Sequence, residues 1–284
     1  MTADPVTGEL SAGGRSRSFT FTPPVASGAP LVLVLHGNHP DAVGQVMRGS
    51  TTFDRQAAGL GWAVAYPDGV GGCWADGRGV TTADEAGVDD VAFLRGLIDW
   101  SAERCGTLPD RAVVAGVSNG AFMAHRLALE ASDQVAVLAA VAGTLPASLL
   151  DRRPTHAVSA MLIHGTADRI APIEGGFSRH LGPGGERRGR TISLAETAER
   201  WRTVDRCPPG PGETHTTEFS SRATATGAGG TRVACWTVFG GGHAWPGTTV
   251  AGWAEPTTGE FDAAEEICRF AAPLTLAADS RRLR

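Results

Sequence analysis

Residues 112–121 read Ala-Val-Val-Ala-Gly-Val-Ser-Asn-Gly-Ala. The run Ala112 to Val117 is apolar without interruption, which predicts a strand covered on both faces of a sheet. A helix-like segment, Asn119 to Ala131, starts directly after it. The pentapeptide Gly116-Val117-Ser118-Asn119-Gly120 spans the junction, with a glycine two residues before and two after the serine. In a chain with 38 Gly such a string says little by itself. The strand before it and the helix after it give it weight, because together they predict a sharp turn that lifts a hydroxyl at a strand end, close to a helix N-terminus. The competing reading is a glycine-containing turn with an idle serine.

The same apolar pattern recurs at Leu31 to Leu35, Trp62 to Tyr66, Val135 to Val141, Ala160 to Ile163 and Val233 to Phe239. Phe19 and Phe21 alternate with threonines in Arg17 to Thr22, which reads as an edge strand or hairpin arm. Helical spacing is clearest in Val88 to Cys105, with Asp89 and Asp90 in the first turn, and is also present in Phe53 to Leu60, Ser193 to Arg206 and Ala263 to Ala271. Strands alternating with helices predict an α/β fold with a mainly parallel sheet and helices on both faces. No linker divides the chain, so 1–284 reads as one domain with flexible ends over 1–13 and 275–284. Two stretches read as mobile insertions, Gly182 to Arg190 and Pro208 to Gly230. The first carries Arg187, Arg188 and Arg190, which suit an anion or simply a solvated loop.

A serine hydroxyl is a poor nucleophile at neutral pH and requires a histidine base oriented by an acid, in the chain order Ser, Asp/Glu, His for this arrangement. Asp168 follows the strand Ala160 to Ile163 through His164-Gly165-Thr166-Ala167. His243 follows Val233 to Phe239 through three glycines. Ser118, Asp168 and His243 are therefore the candidate catalytic residues, all leaving carboxyl ends of strands, where α/β sheets gather their chemistry. Asp151 and Glu174 are fallback acids. His36 and His164, each in a His-Gly pair, read as loop-holding residues near the site; His125 reads as packing, and His156, His180 and His215 as solvated.

Composition narrows the alternatives. The chain has 284 residues, 42% hydrophobic and 19% charged, which excludes disorder, collagen and coiled coil. All 25 Lys+Arg residues are Arg, so P-loop and Schiff-base lysines and a Ser–Lys dyad have no candidate. The lone Tyr66 leaves no Tyr–Lys pair for a nicotinamide reductase. A formal charge of −5 without a basic face argues against nucleic acid, and no apolar run reaches membrane-spanning length. Five cysteines without a C-x-x-C, and no His/Cys/Asp cluster at ligand spacing, predict neither a metal nor a cofactor. The first ten residues lack the basic and apolar regions of a signal peptide, which reads as cytoplasmic.

Leu-His-Gly at 35–37, Tyr-Pro-Asp-Gly at 66–69 with Trp74 following, Val-Asp-Asp-Val-Ala-Phe-Leu at 88–94, Gly-Val-Ser-Asn-Gly at 116–120, His-Gly-Thr-Ala-Asp at 164–168 and Gly-Gly-His-Ala-Trp-Pro-Gly at 241–247 resemble the polyhydroxybutyrate depolymerase-type esterases, which include feruloyl and acetylxylan esterases. The resemblance implies an α/β-hydrolase fold, the triad Ser118, Asp168 and His243, a Cys207–Cys235 disulfide, and secretion as the alternative compartment. It implies a serine esterase acting through an acyl-enzyme on a small-molecule or oligomeric ester; an acyltransferase, cyclase or thioesterase using the same triad, or an inactive binding protein, are the alternatives. In that fold one oxyanion amide follows the nucleophile and another follows the early strand, which points to the backbone N–H groups of Asn119 and Asn38. Trp74 and Trp245, on loops leaving the same sheet edge, are expected to flank the substrate pocket, with an anchor for the histidine loop as the equal alternative for Trp245. The glycines around Trp74 suggest a segment too mobile to need a core anchor.

Overall fold

A computed structural model describes residues 4–39, 43–178, 184–187, 189–248 and 255–275. In chain order the elements are β1 (Val6–Ala12), β2 (Arg15–Thr22), β3 (Leu31–Leu35), α1 (Gly44–Ser50), α2 (Phe53–Leu60), β4 (Ala63–Pro67), α3 (Thr82–Glu85), α4 (Asp90–Cys105), β5 (Ala112–Val117), α5 (Asn119–Glu130), β6 (Val135–Val141), β7 (Ser159–Gly165), α6 (Leu194–Val204), β8 (Glu213–Thr216), β9 (Ser220–Thr226), β10 (Arg232–Val238) and α7 (Ala263–Thr275). They build one sheet in the order β1-β2-β4-β3-β5-β6-β7-β10-β9-β8. From β4 to β10 neighbouring strands are parallel, and antiparallel pairs flank them on both sides. This is the α/β-hydrolase architecture that the resemblance implies.

The unbroken apolar strands arise because each strand feeds two cores. Leu31, Leu33 and Leu35 of β3 join Leu94, Leu97 and Ile98 of α4, Met123 and Leu127 of α5 and Trp201 of α6 on one face. Val32 and Val34 turn to the other face, with Met47 of α1, Phe53 of α2 and Ile267 of α7. Helix ends are set by local chemistry. The Asp89 side chain accepts the Ala92 N–H at 2.9 Å and caps α4, so the helix begins at Asp90 rather than at Val88. Asp90 is not an exposed first-turn acid: it is fully buried and its carboxylate meets the Arg17 guanidinium at 2.6 Å.

Two expectations are corrected here. The segment 1–13 is not a flexible tail where it is described, because Val6–Ala12 pairs in register with β2 and Leu10 and Ala12 pack against the core. Pro208 to Gly230 is not simply a loop, because it contains β8 and β9, whose hairpin extends the sheet beyond β10. Its Thr/Ala alternation suits a strand at the sheet margin, a signal masked by the flanking Pro and Gly. Residues 276–284, part of the second tail, and 182, 183 and 188 of the Gly/Arg stretch lie outside the described residues.

Candidate active site

Ser118 occupies the one-residue turn between β5 and α5, with φ 55° and ψ −119°. A non-glycine residue held in such a conformation stores on the order of 1–3 kcal/mol, which the surrounding structure must over-determine. The constraints are visible: Ser118 N–H donates to Val141 O at 3.0 Å, and Ser118 O accepts the Ala121 and Phe122 N–H groups at 2.9 and 3.0 Å. Helix and strand approach so closely that a Cβ on Gly116 would lie 2.2 Å from Gly120 O, and one on Gly120 2.4 Å from Leu35 O. The two glycines of the pentapeptide are thus required by contact, and they leave the serine at the carboxyl edge of the sheet.

Asp168, at the end of the turn after β7, is buried, and its two oxygens are fully engaged. Oδ1 accepts the N–H groups of Ile170 and Ala171 at 2.9 and 2.8 Å. Oδ2 meets His243 Nδ1 at 2.8 Å and lies 3.3 Å from His164 Nε2. Burial opposes the charge, but hydrogen bonds from His164 and His243 outweigh it and hold the Asp168 carboxyl well below the usual carboxylate range. Asp168 thus orients His243 as an ionised acceptor. Asp151 and Glu174 are exposed surface residues without a bond to His243. His164 Nε2 also donates to Ala171 O at 2.8 Å, the loop-holding role expected of it. Glu255 has no counterpart in the sequence reading: its carboxylate accepts the His243 backbone N–H at 2.6 Å.

On the other side of Ser118 lies the turn after β3, where a Cβ on Gly37 would be 3.5 Å from Ser118 Cβ. His36 Nε2 accepts the Gly69 N–H at 2.9 Å, so the ring proton resides on Nδ1 and is donated to Gly37 O at 2.8 Å. Burial lowers the His36 pKa and favours this neutral form. Asn38 is exposed beside it. Asn119 is the first residue of α5, so its backbone N–H has no acceptor within the helix. Asn119 thus follows Ser118 directly, and Asn38 follows Gly37, which packs against Ser118.

Trp74 corrects the sequence reading, whereas Trp245 takes the anchoring one of its two readings. Trp74 is fully buried. Its indole N–H donates to His36 O at 3.0 Å, and its backbone N–H to Asn119 Oδ1 at 2.7 Å. The glycine-flanked segment around it is anchored by the buried carboxylates of Asp76 and Asp90. Trp245 is also buried, edge-on to Phe53 at 5.8 Å, and anchors the histidine loop. Neither side chain is available to a substrate in this state. His125 is a packing residue as expected: Trp201 Nε1 donates to its Nδ1 at 3.1 Å, and burial lowers its pKa to about 3. His215 is exposed, His156 is half-buried with Nδ1 3.0 Å from Thr155 Oγ1, and His180 lies outside the described residues.

Cys207 and Cys235 are free thiols, contrary to the bridge that the resemblance implies. Both pack against one apolar cluster, and burial pushes the Cys235 thiol up to about 11, which keeps it protonated. Among the described residues no group of three His, Cys, Asp or Glu could hold a metal, and no helix is long and apolar enough to cross a membrane.

No family model matches the chain. It is 34% identical over 259 residues to "Putative esterase NocK" of Nocardia uniformis subsp. tsuyamanensis, covering 85% of this chain and 74% of that protein. The chain belongs to this esterase family. This α/β-hydrolase esterase is also 27% identical over 235 residues to feruloyl esterase B of Piromyces equi, covering 79% of this chain but only 41% of that longer protein. Among solved structures, an acetyl xylan esterase from Aspergillus awamori superimposes with a TM-score of 0.59 at 16% identity, covering 93% of this chain and 99% of that one, a likeness of fold. The esterase is a carboxylic ester hydrolase, as its sequence resemblance implied.

Proposed function

We propose that the esterase hydrolyses small carboxylic esters through an acyl-enzyme on Ser118. The observation that carries the reading is the 2.8 Å contact between His243 Nδ1 and the ionised Asp168, at the same sheet edge as the strained Ser118 turn. With Nδ1–H committed to Asp168, Nε2 of the neutral ring is the free base. Ser118 Oγ attacks the ester carbonyl while Nε2 accepts its proton; the tetrahedral oxyanion is bound by the Asn38 and Asn119 N–H groups. Collapse breaks the bond to the alcohol, which leaves with the proton from Nε2. Water then repeats the sequence, releasing the acid and restoring Ser118.

The alkoxide and imidazolium formed in these steps explain why the site needs an ionised acid and two aimed amides, each typically supporting the transition state by ~2.7–4 kcal/mol. Kinship to feruloyl esterase B favours aryl-bearing esters among the substrates. The test is hydrolysis of a panel of alkyl and hydroxycinnamoyl esters by the protein and its Ser118→Ala variant. Loss of about 10⁴-fold or more in kcat on every ester that the parent cleaves is expected; turnover by the variant within tenfold of the parent removes Ser118 from the mechanism.

A further inference from the structure

We propose that Trp74 is a positioning residue that fixes the spacing between the two oxyanion donors, an inference that rests on the assignment of Asn38 and Asn119 above. One end of the bridge is the turn after β3. Gly37 C=O and Asn38 N–H belong to one planar peptide unit and point in opposite directions, so whatever holds the carbonyl aims the amide. The holder is His36 Nδ1–H, at 2.8 Å. The His36 residue is in turn held by Trp74, whose indole N–H takes the His36 carbonyl at 3.0 Å and whose ring lies 4.8 Å from the imidazole.

The other end is the start of α5. Trp74 N–H donates to Asn119 Oδ1 at 2.7 Å, and Asn119 Nδ2 donates back to Trp74 O at 3.1 Å. This paired bond fixes the residue whose own backbone N–H is the second donor. Trp74 therefore bridges both halves of the oxyanion site, reaching residues 38 and 45 positions away in the chain.

The bridge is itself braced. Thr81 Oγ1 donates to Trp74 O at 3.0 Å, Ala75 N–H to the buried Asp90 at 2.7 Å, and Arg126 to Ala75 O at 2.6 Å. Asp76, fully buried, accepts Asn119 Nδ2 at 2.6 Å and the Arg78 guanidinium at 2.7 Å. These bonds fix the main chain at residues 74 and 75, so the indole donates to His36 O from a held backbone. Oxyanion donors act within 2.7–3.1 Å of the developing charge, so a small loss of registration at either end weakens the transition state and leaves ground-state binding intact.

Trp74→Phe tests the donor, since it keeps an aromatic filler and removes the indole N–H together with part of the ring volume. The probes are steady-state hydrolysis of an aryl ester and inhibition by an alkyl trifluoromethyl ketone, which adds to the serine and presents an oxyanion. Folding is checked by thermal melting, and Asn119→Ala, which cuts the bridge at its other end, serves if the first variant does not fold. A fall in kcat of about tenfold or more, with KM within twofold and ketone affinity falling in parallel with kcat/KM, is the expected result. A folded variant with parental kcat and parental ketone affinity overturns the proposal. Mapping the ketone or a fluorophosphonate adduct on the parent distinguishes this from failure of the underlying assignment: an adduct away from Ser118 removes the assignment and the inference together, whereas an adduct on Ser118 with unaltered variant kinetics removes the inference alone.

Discussion

Glu255 holds the backbone N–H of His243 with its carboxylate at 2.6 Å. The imidazole is thus tied at two points, at the ring by Asp168 and at the main chain by Glu255. The adjacent Gly242 N–H donates to Pro256 O at 2.7 Å, so residues 255–256 brace the histidine loop from outside. Glu255→Ala should lower kcat about tenfold with little change in KM, because a loosened loop samples productive geometry less often. Glu255→Gln, which retains an acceptor oxygen, should keep most of the activity. Parallel kcat measurements on the two variants check this, and equal, parental values would show that the brace has no kinetic role.

Asp168→Asn should reduce kcat by about 10⁴-fold while the protein remains folded at neutral pH, because the amide favours the wrong imidazole tautomer. The carboxylate also has a stability signature. Its pKa is depressed in the folded state, so its contribution is present above the unfolded value of ~3.9 and is lost as pH falls below that toward the folded value. Urea unfolding between pH 5 and pH 2 should therefore show a shallower loss of stability in Asp168→Asn than in the parent. Parallel curves would mean that the carboxylate is not selectively stabilised in the native state.

Ser118, Asp168 and His243 were legible because each follows an apolar run at a strand's carboxyl end, and the parallel sheet brings such ends to one edge. Their chain order added a further constraint. The buried place of Trp74 is not legible because glycine neighbours signal mobility locally, whereas its anchors, His36 and Asn119, are distant in sequence and its bonds run largely through backbone atoms. Glu255 left no signal for a related reason: a carboxylate that accepts a main-chain N–H imposes no residue type on its partner. The β8–β9 hairpin was hidden between Pro and Gly residues that belong to its ends. Asp90 shows the limit of helix-end rules, since the first-turn acid expected to serve the macrodipole is the buried partner of Arg17.

Asp205, at the end of α6, is buried. Burial raises its pKa well above the ordinary carboxylate value, opposed only in part by the nearby Val158 amide and Thr231 hydroxyl. The folded state thus retains a proton that the unfolded chain releases near pH ~3.9, and stability declines as pH rises from there to the folded value, by about 1.4 kcal/mol per pH unit. Asp205→Asn should remove this decline and leave the variant more stable than the parent at neutral pH. Denaturant titrations from pH 4 to pH 8 measure it, and identical pH profiles for the two proteins would contradict the assignment.

Prolonged treatment with a strong chelator should leave ester hydrolysis unchanged, since the proposed chemistry generates its nucleophile from Ser118 and His243 alone. Activity lost on chelation and restored by a single divalent ion would require a different mechanism.

Whether Ser118 carries the acyl group can be read by labelling with a fluorophosphonate and locating the adduct by peptide mass spectrometry. One adduct per chain is expected on the peptide containing Ser118, formed in step with loss of ester hydrolysis and absent from Ser118→Ala. An adduct on another residue, or full inactivation with Ser118 unmodified, would contradict it.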